Sequence, residues 1–224
     1  GIQIIGDMPI YVAADSVEVW TKPELFQLDK ERNPLFVAGV PADQFSATGQ
    51  LWGNPLYDWE EHKKQGYAWW IHRIEESFKI YDVLRIDHFK GFSDYWQVDG
   101  KAEVAKDGSW QPGPGYDLFK AVKEQLGDLP IIAEDLGNID DKARKLLTDC
   151  NYPGMKILQF GFEDVSGESL DSPHYCIPHS IVYTGTHDND VTNGWYNSLT
   201  EQQQQYINDY THRHEDESIC QAMI

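Results

Sequence analysis

The chain has 224 residues, 41% of them apolar and 25% charged, and a formal net charge of −19 with histidine neutral. A chain of this size buries roughly 70% of its unfolded surface, so the composition supports a folded core and excludes wholesale disorder. So acidic a surface repels phosphate backbones and anionic lipid, which argues against nucleic-acid and membrane partners; it is compatible with a neutral substrate, and equally with a charge that only maintains solubility.

The first residues, GIQIIGDMPIYV, lack the basic start and apolar core of a signal peptide. They predict a strand over 2–5, already in progress, followed by a turn at Gly6-Asp7-Met8-Pro9. Residues 13–59 show little periodicity and many Gly and Pro, which predicts a loop-rich insertion with short hairpins. Its end, 41–59, spaces aromatic residues among Gly, Asn and Pro. Residues 59–80 predict a helix, because Tyr67, Trp70, Ile71, Ile74 and Phe78 recur at spacings of three and four. YDVLRIDHF predicts a strand running to Asp87.

Residues 117–126 predict a helix with Asp117 as N-cap and Gly127 just past its end. LPIIAEDLG reads as the next strand and IDDKARKLLTDC as the next helix. MKILQFGF (155–162) and SIVYTGTHD (180–188) read as further strands. Thr200 with Gln203 forms a capping-box pattern opening a last helix. The strands are short apolar runs alternating with helices, as in buried parallel sheets. The pattern fits an α/β barrel or an open doubly wound sheet. No GxGxxG follows a strand, so a dinucleotide site has no support.

Cys150, Cys176 and Cys220 are scattered and form no CxxC, which reads as the reduced thiols of a cytoplasmic protein. No stretch approaches the about 18 apolar residues of a membrane span. The 13% aromatic content suits a sugar-lined cleft as well as core packing.

Four acids stand at predicted strand ends: Asp7, Asp87, Glu134 and Asp188. Arg85 and Asp87 share one strand face, so the guanidinium can hold the carboxylate ionised; a structural ion pair fits equally. Glu134 follows Ile131, Ile132 and Ala133, where desolvation would raise its pKa toward that of a general acid. It could instead serve the dipole of the following helix. Asp188, between His187 and Asn189, could bind sugar hydroxyls, while one of Asp188, Asn189 and Asp190 is expected to cap the next helix. His88 and His187 beside these acids could also hold a metal, although no HxH or HExxH occurs. Paired carboxyls suit glycoside chemistry, one attacking and one acting as acid and then base.

GDMPIYV, FSATGQLWGNPLYDW, LRIDHFKGF, IIAEDLG and YTGTHDND, in this order, resemble the 4-α-glucanotransferases, also called amylomaltases or disproportionating enzymes, of the α-amylase clan. The resemblance implies an α/β fold of the (β/α)8 TIM-barrel type and transfer of α-1,4-glucan segments with retention, to a glucose or maltooligosaccharide acceptor. By motif position it implies Asp87 as nucleophile, Glu134 as acid/base and Asp188 as the carboxylate that stabilises the transition state. Arg85, His88 and His187 would line the sugar site, with Asp7 nearby. Trp52, Asn54 and Tyr57 would be sugar contacts in a 13–59 insertion covering the acceptor side. No cofactor or metal is expected. Family members are longer, so residues 1–224 read as a central fragment of the barrel, about strands 3 to 7. Pro41-Ala42-Asp43 stands where the family has a Pro-Pro-Asp stretch, which bears on loop stiffness. The alternatives are an α-glucan hydrolase of the same clan and a non-catalytic glucan-binding fragment.

Overall fold

The structure is a computed structural model that describes residues 1–42, 46–137 and 139–224. Asp43, Gln44 and Phe45, within the 13–59 insertion, lie outside the described residues, as does Asn138; Asp43 ends the Pro41-Ala42-Asp43 stretch and Phe45 opens the FSATGQLWGNPLYDW motif. The chain divides into two units, Gly1–Tyr152 and Pro153–Ile224.

The first unit is built on three parallel strands, β1 (Ile5–Pro9), β4 (Val83–Asp87) and β7 (Ile131–Ala133), in the order β1-β4-β7. The first strand lies later than the sequence predicts. Residues 2–4 are outside it, and the Gly-Asp-Met-Pro stretch that reads as a turn is the strand itself. The reason is long-range: Gly6 to Pro9 pair in parallel register with Leu84 to Asp87. A turn signal is local and yields to such a ladder. Gly6 is required here, because a Cβ would meet the Tyr81 ring at 2.1 Å.

The 13–59 segment holds a short helix α1 (Val17–Thr21), capped by Ser16, and two antiparallel strands, β2 (Phe36–Val40) and β3 (Gln50–Pro55). Two later strands, β5 (Asp94–Asp99) and β6 (Ser109–Pro112), join them in a second sheet of order β3-β2-β5-β6.

The helix predicted over 59–80 is two helices, α2 (Trp59–Lys64) and α3 (Ala68–Ser77). Gly66 and Tyr67 between them both have positive φ, which ends one helix before the next begins. The apolar spacing, which starts at Tyr67, lies wholly on α3 and its caps, and Trp70 and Ile74 are fully buried. Helix α4 (Tyr116–Leu126) starts from Gly115, not from Asp117. Asp117 sits in its first turn and pairs with Lys63 at 2.7 Å. Gly127 closes it at φ 78°, as expected. Helix α5 (Asp141–Cys150) is capped by the Asp140 side chain, which accepts from the Ala143 N–H.

In the second unit, β8 (Gly154–Ile157) and β9 (Ser180–Tyr183) pair in parallel. The predicted strand 155–162 stops at Ile157, and Leu158–Glu163 forms helix α6. Both readings fit an eight-residue apolar run, and only β8 finds a partner strand. Helix α7 (Thr192–Ser198) is preceded by Val191 with no side-chain cap. The capping role expected of Asp188, Asn189 or Asp190 is therefore not taken. Asn189 instead accepts from the Thr186 N–H, and Asp190 from the Val191 N–H. Helix α8 (Glu201–Thr211) opens on the predicted Thr200–Gln203 capping box, and α9 (Ile219–Ala222) ends the chain.

The core of the first unit joins one face of β4, through Leu84 and Ile86, to Trp70, Phe89, Phe92 and Phe119. Among the described residues no helix is long and apolar enough to cross a membrane. The α/β expectation is thus met by parallel strands with helices between them.

Candidate active site

The site is assembled where β4 and β7 end. Ile86 is in register with Ala133, so the next residues, Asp87 and Glu134, stand opposite each other. The backbone continues the ladder there: the Glu134 N–H donates to the Ile86 carbonyl at 2.9 Å, and the Phe89 N–H donates to the Glu134 carbonyl at 3.0 Å. Parallel neighbours in register project to the same face.

Arg85 lies one step into the sheet and is only 6% exposed. Its Nη1 reaches Asp7 Oδ1 at 2.6 Å and Asp87 Oδ1 at 2.9 Å. One guanidinium thus bridges adjacent strands and holds the Asp87 carboxylate in place. The register Asp7↔Arg85 makes this contact possible. A turn at Asp7, as the local sequence suggests, would lose it.

Glu134 meets a different environment. Oε2 accepts from the His88 N–H at 2.8 Å and Oε1 from the Leu136 N–H at 2.7 Å. Burial outweighs these bonds, and the Asp87 charge adds to it, so the Glu134 carboxyl is pushed up to about 7. Helix α5 begins only at Asp141, with Asp140 as its cap, so Glu134 does not serve that helix terminus. The two carboxyls are therefore differentiated: one is held by an arginine, the other is poised to carry a proton near neutrality.

His88 adopts a left-handed conformation (φ 49°) directly after the strand. Burial, and then the Lys90 charge, push its imidazole down to about 4. It is thus neutral near pH 7, able to donate at one nitrogen and accept at the other. Trp52 meets the His88 ring edge-on at 4.8 Å and remains 37% exposed. Tyr11 approaches both rings, at 6.2 Å from Trp52 and 6.5 Å from His88. Asn54 donates to the Val12 carbonyl at 3.0 Å and lines a small cavity with Tyr11, Trp52, Asp87 and His88. Tyr57, expected among the sugar contacts, is 1% exposed. Its hydroxyl donates to the Ile10 carbonyl at 2.6 Å, and its ring stacks beneath Tyr11.

The structure thus brings Asp7, Trp52, Asn54, Arg85, Asp87, His88 and Glu134 into one region. His187 and Asp188 belong to the second unit. They follow β9 on a loop, well exposed, with His187 Nε2 at 3.5 Å from Asp188 Oδ1. Among the described residues one trio has the spacing of a metal site, His72, Glu75 and Glu76 on α3, and it includes none of the predicted site residues.

Four participants, Tyr11, Lys90, Trp110 and Asp140, escaped the sequence reading. A cavity of about 570 Å³ is lined by Trp52, His88 and Glu134 together with Lys90, Trp110 and Asp140. Lys90 pairs with Asp94, four residues on, and with Asp140 at 2.9 Å. The i,i+4 spacing of Lys90 and Asp94 was a usable signal. Trp110 and Tyr11 carried none beyond being aromatic.

Fold and site together define a class: an α/β protein whose parallel strands present a proton-bearing carboxyl beside an arginine-held carboxylate. The comparisons with known proteins narrow it. The family model described as 4-alpha-glucanotransferase matches residues 1–224, and the chain belongs to that family. It is 53% identical over 224 residues to the 4-alpha-glucanotransferase of Streptococcus pneumoniae serotype 4, covering 100% of this chain and 44% of the relative. It is 45% identical to that of Aquifex aeolicus, covering 100% and 46%. The structure of the amylomaltase from Streptococcus agalactiae in complex with acarbose superposes with a TM-score of 0.96 at 59% identity, covering 99% of this chain and 45% of that one. The amylomaltase from Corynebacterium glutamicum, at 17% identity and a TM-score of 0.73, covering 95% and 29%, shares the fold. The chain spans less than half the length of these relatives.

Proposed function

We propose that the protein carrying this chain transfers α-1,4-glucan segments to glucose or maltooligosaccharide acceptors with retention of configuration. The observation that carries the reading is the opposition of Asp87 and Glu134 on neighbouring strands, one carboxyl fixed by Arg85 and the other raised to about 7. Neighbouring strands are about 4.8 Å apart, which suits the separation of about 5–5.5 Å between the carboxyls of a retaining pair.

In this reading an Asp87 oxygen attacks the anomeric carbon, while Glu134 gives its proton to the departing glycosidic oxygen. A covalent glycosyl-enzyme results, and the leaving sugar carries the Glu134 proton. The incoming sugar hydroxyl then attacks the same carbon, loses its proton to Glu134 and releases Asp87. Asp188 stabilises the oxocarbenium-like transition state, and His88 and His187 hydrogen-bond sugar hydroxyls. Arg85 and Asp7 keep the nucleophile in register. Trp52 and Asn54 contact sugar, with Tyr57 supporting them from below through Ile10 and Tyr11.

The closed (β/α)8 barrel, with the 13–59 insertion over the acceptor side, belongs to the same proposal. Its support is the parallel order β1-β4-β7, the parallel pair β8-β9 and the family membership. Cytoplasmic residence and turnover without a metal complete it.

Incubating the full-length protein with maltotriose tests the reading. A ladder of longer maltooligosaccharides is expected. Release of glucose and maltose alone would assign hydrolysis instead, and binding without turnover would leave a glucan-binding protein.

A further inference from the structure

The cavity that holds Glu134 extends beyond the residues assigned so far. Trp110, on β6, lines it and is 43% exposed. Its ring is nonetheless fixed. Trp96, its direct cross-strand partner, meets it nearly edge-on at 5.2 Å. The Lys90 ammonium sits 4.4 Å from its ring centre, an attractive cation–π contact. Lys90 is in turn held by Asp94 and by Asp140, which also caps α5. A large aromatic residue left this exposed yet locked on two sides is preorganised for a ligand, because little side-chain freedom remains to be lost on binding.

The setting selects the ligand class. An indole offers an apolar surface, and Asp94, Asp140 and Lys90 beside it offer acceptors and donors in a cluster of two carboxylates around one ammonium. That mixture matches a pyranose, whose axial C–H bonds form an apolar face and whose hydroxyls ring its edge. The span selects its length. Trp52 and Trp110 sit on the two outer strands of the order β3-β2-β5-β6, three strand spacings or about 14 Å apart. That is wider than a single sugar ring. The volume of about 570 Å³ falls within the roughly 300–1,000 Å³ of small-ligand pockets.

We propose that Trp110, braced by Lys90 and Trp96, forms a distal sugar-binding platform that sets preference for longer glucan chains. The inference rests on the glucan reading of the site. It commits to a neutral α-glucan as occupant and leaves the chemistry to Asp87 and Glu134.

The test measures equilibrium binding to the full-length protein in a Glu134→Gln background, where turnover is suppressed. Maltose and maltoheptaose are titrated against this protein with and without Trp110→Ala. Maltoheptaose affinity should fall about tenfold, as expected for one lost stacking contact, while maltose affinity stays within about twofold. The unchanged maltose value shows that the fold is intact, and Trp110→Phe should give an intermediate loss. Equal weakening of both sugars, or no loss for maltoheptaose, overturns the platform. The transfer reading is judged separately, by the wild-type maltotriose ladder, so a length-dependent loss without a ladder would keep the platform and reject the transferase.

Discussion

The main-chain N–H of His88 donates to the Glu134 carboxyl at 2.8 Å, so the residue following Asp87 positions the partner of Asp87. The left-handed turn at His88 accompanies this contact, at a conformation L residues rarely adopt. The two carboxyls are thus coupled through one residue of backbone and do not merely sit at the ends of neighbouring strands.

The first prediction concerns pH. With the Glu134 carboxyl raised to about 7, the proton-bearing form is present below that value and is lost as pH climbs through it. The pH profile of kcat/KM should therefore fall on the alkaline side around pH 7. Glu134→Gln should lower kcat by about 10²–10⁴-fold and remove that limb. An alkaline limb that stays put in the variant would detach it from Glu134.

The second concerns Arg85. Its Nη1 serves both Asp7 and Asp87 from a buried position. Lysine has neither the planar fork nor the reach, so Arg85→Lys should reduce kcat at least about tenfold with maltotriose. Arg85→Ala should also destabilise the fold by about 1–2 kcal/mol in urea titrations, because two carboxylates lose their shared partner but, at 41% and 39% exposed, keep much of their hydration. Wild-type kcat in the lysine variant would show that orientation of Asp87 does not depend on the guanidinium.

The third separates support from contact at Tyr57. Tyr57→Phe removes the hydrogen bond to the Ile10 carbonyl, which keeps a longer one from Arg73 at 3.3 Å. A loss of about 1 kcal/mol in unfolding free energy is expected, with KM for maltooligosaccharides unchanged. A raised KM at unchanged stability would return Tyr57 to the sugar contacts.

The fourth concerns acid stability. His62 is 1% exposed among Tyr57, Trp59 and Trp69, and neither ring nitrogen has a hydrogen-bond partner. Burial pushes its imidazole down to about 4 from 6.5; the Leu25 carbonyl opposes this weakly, without the geometry of a bond. The unfolded chain therefore takes up the proton first. The stabilising contribution of the neutral ring is complete above about pH 6.5 and is lost as pH falls toward 4. At about 1.4 kcal/mol per pKa unit, it amounts to about 3 kcal/mol. Denaturation curves from pH 7 to 4 should show this loss, reduced in His62→Phe. An equally steep fall in the variant would assign it to other groups.

How much of this was legible in the sequence depends on whether the signal was local. Asp87 and Glu134 were legible because each closes a short apolar run that no other structure could use. The Thr200 capping box and Gly127 were legible because their geometry is set within a few residues. Asp7 was misplaced into a turn because its strand is defined only by pairing with Leu84 to Asp87, some 78 positions away in the case of Arg85. The division of 59–80 was hidden because the spacing that predicts the helix begins only at Tyr67, and the polar run 60–66 was carried into it although Gly66 and Tyr67 break the backbone there. Trp110 entered the site through a sheet whose strands come from both sides of β4, and no periodicity encodes that.

That sheet also constrains how the protein can be altered. Strands β2 and β3 precede the strand bearing Asp87, whereas β5 and β6 follow it, yet β2 pairs directly with β5. The wall carrying Trp52 and Trp110 is therefore not a detachable cassette. Exchanging residues 36–55 with a relative would graft half a sheet onto a foreign half. Chimaeras that aim to alter product length must move 94–112 in the same step, and substitutions at the β2–β5 seam should be inherited in pairs.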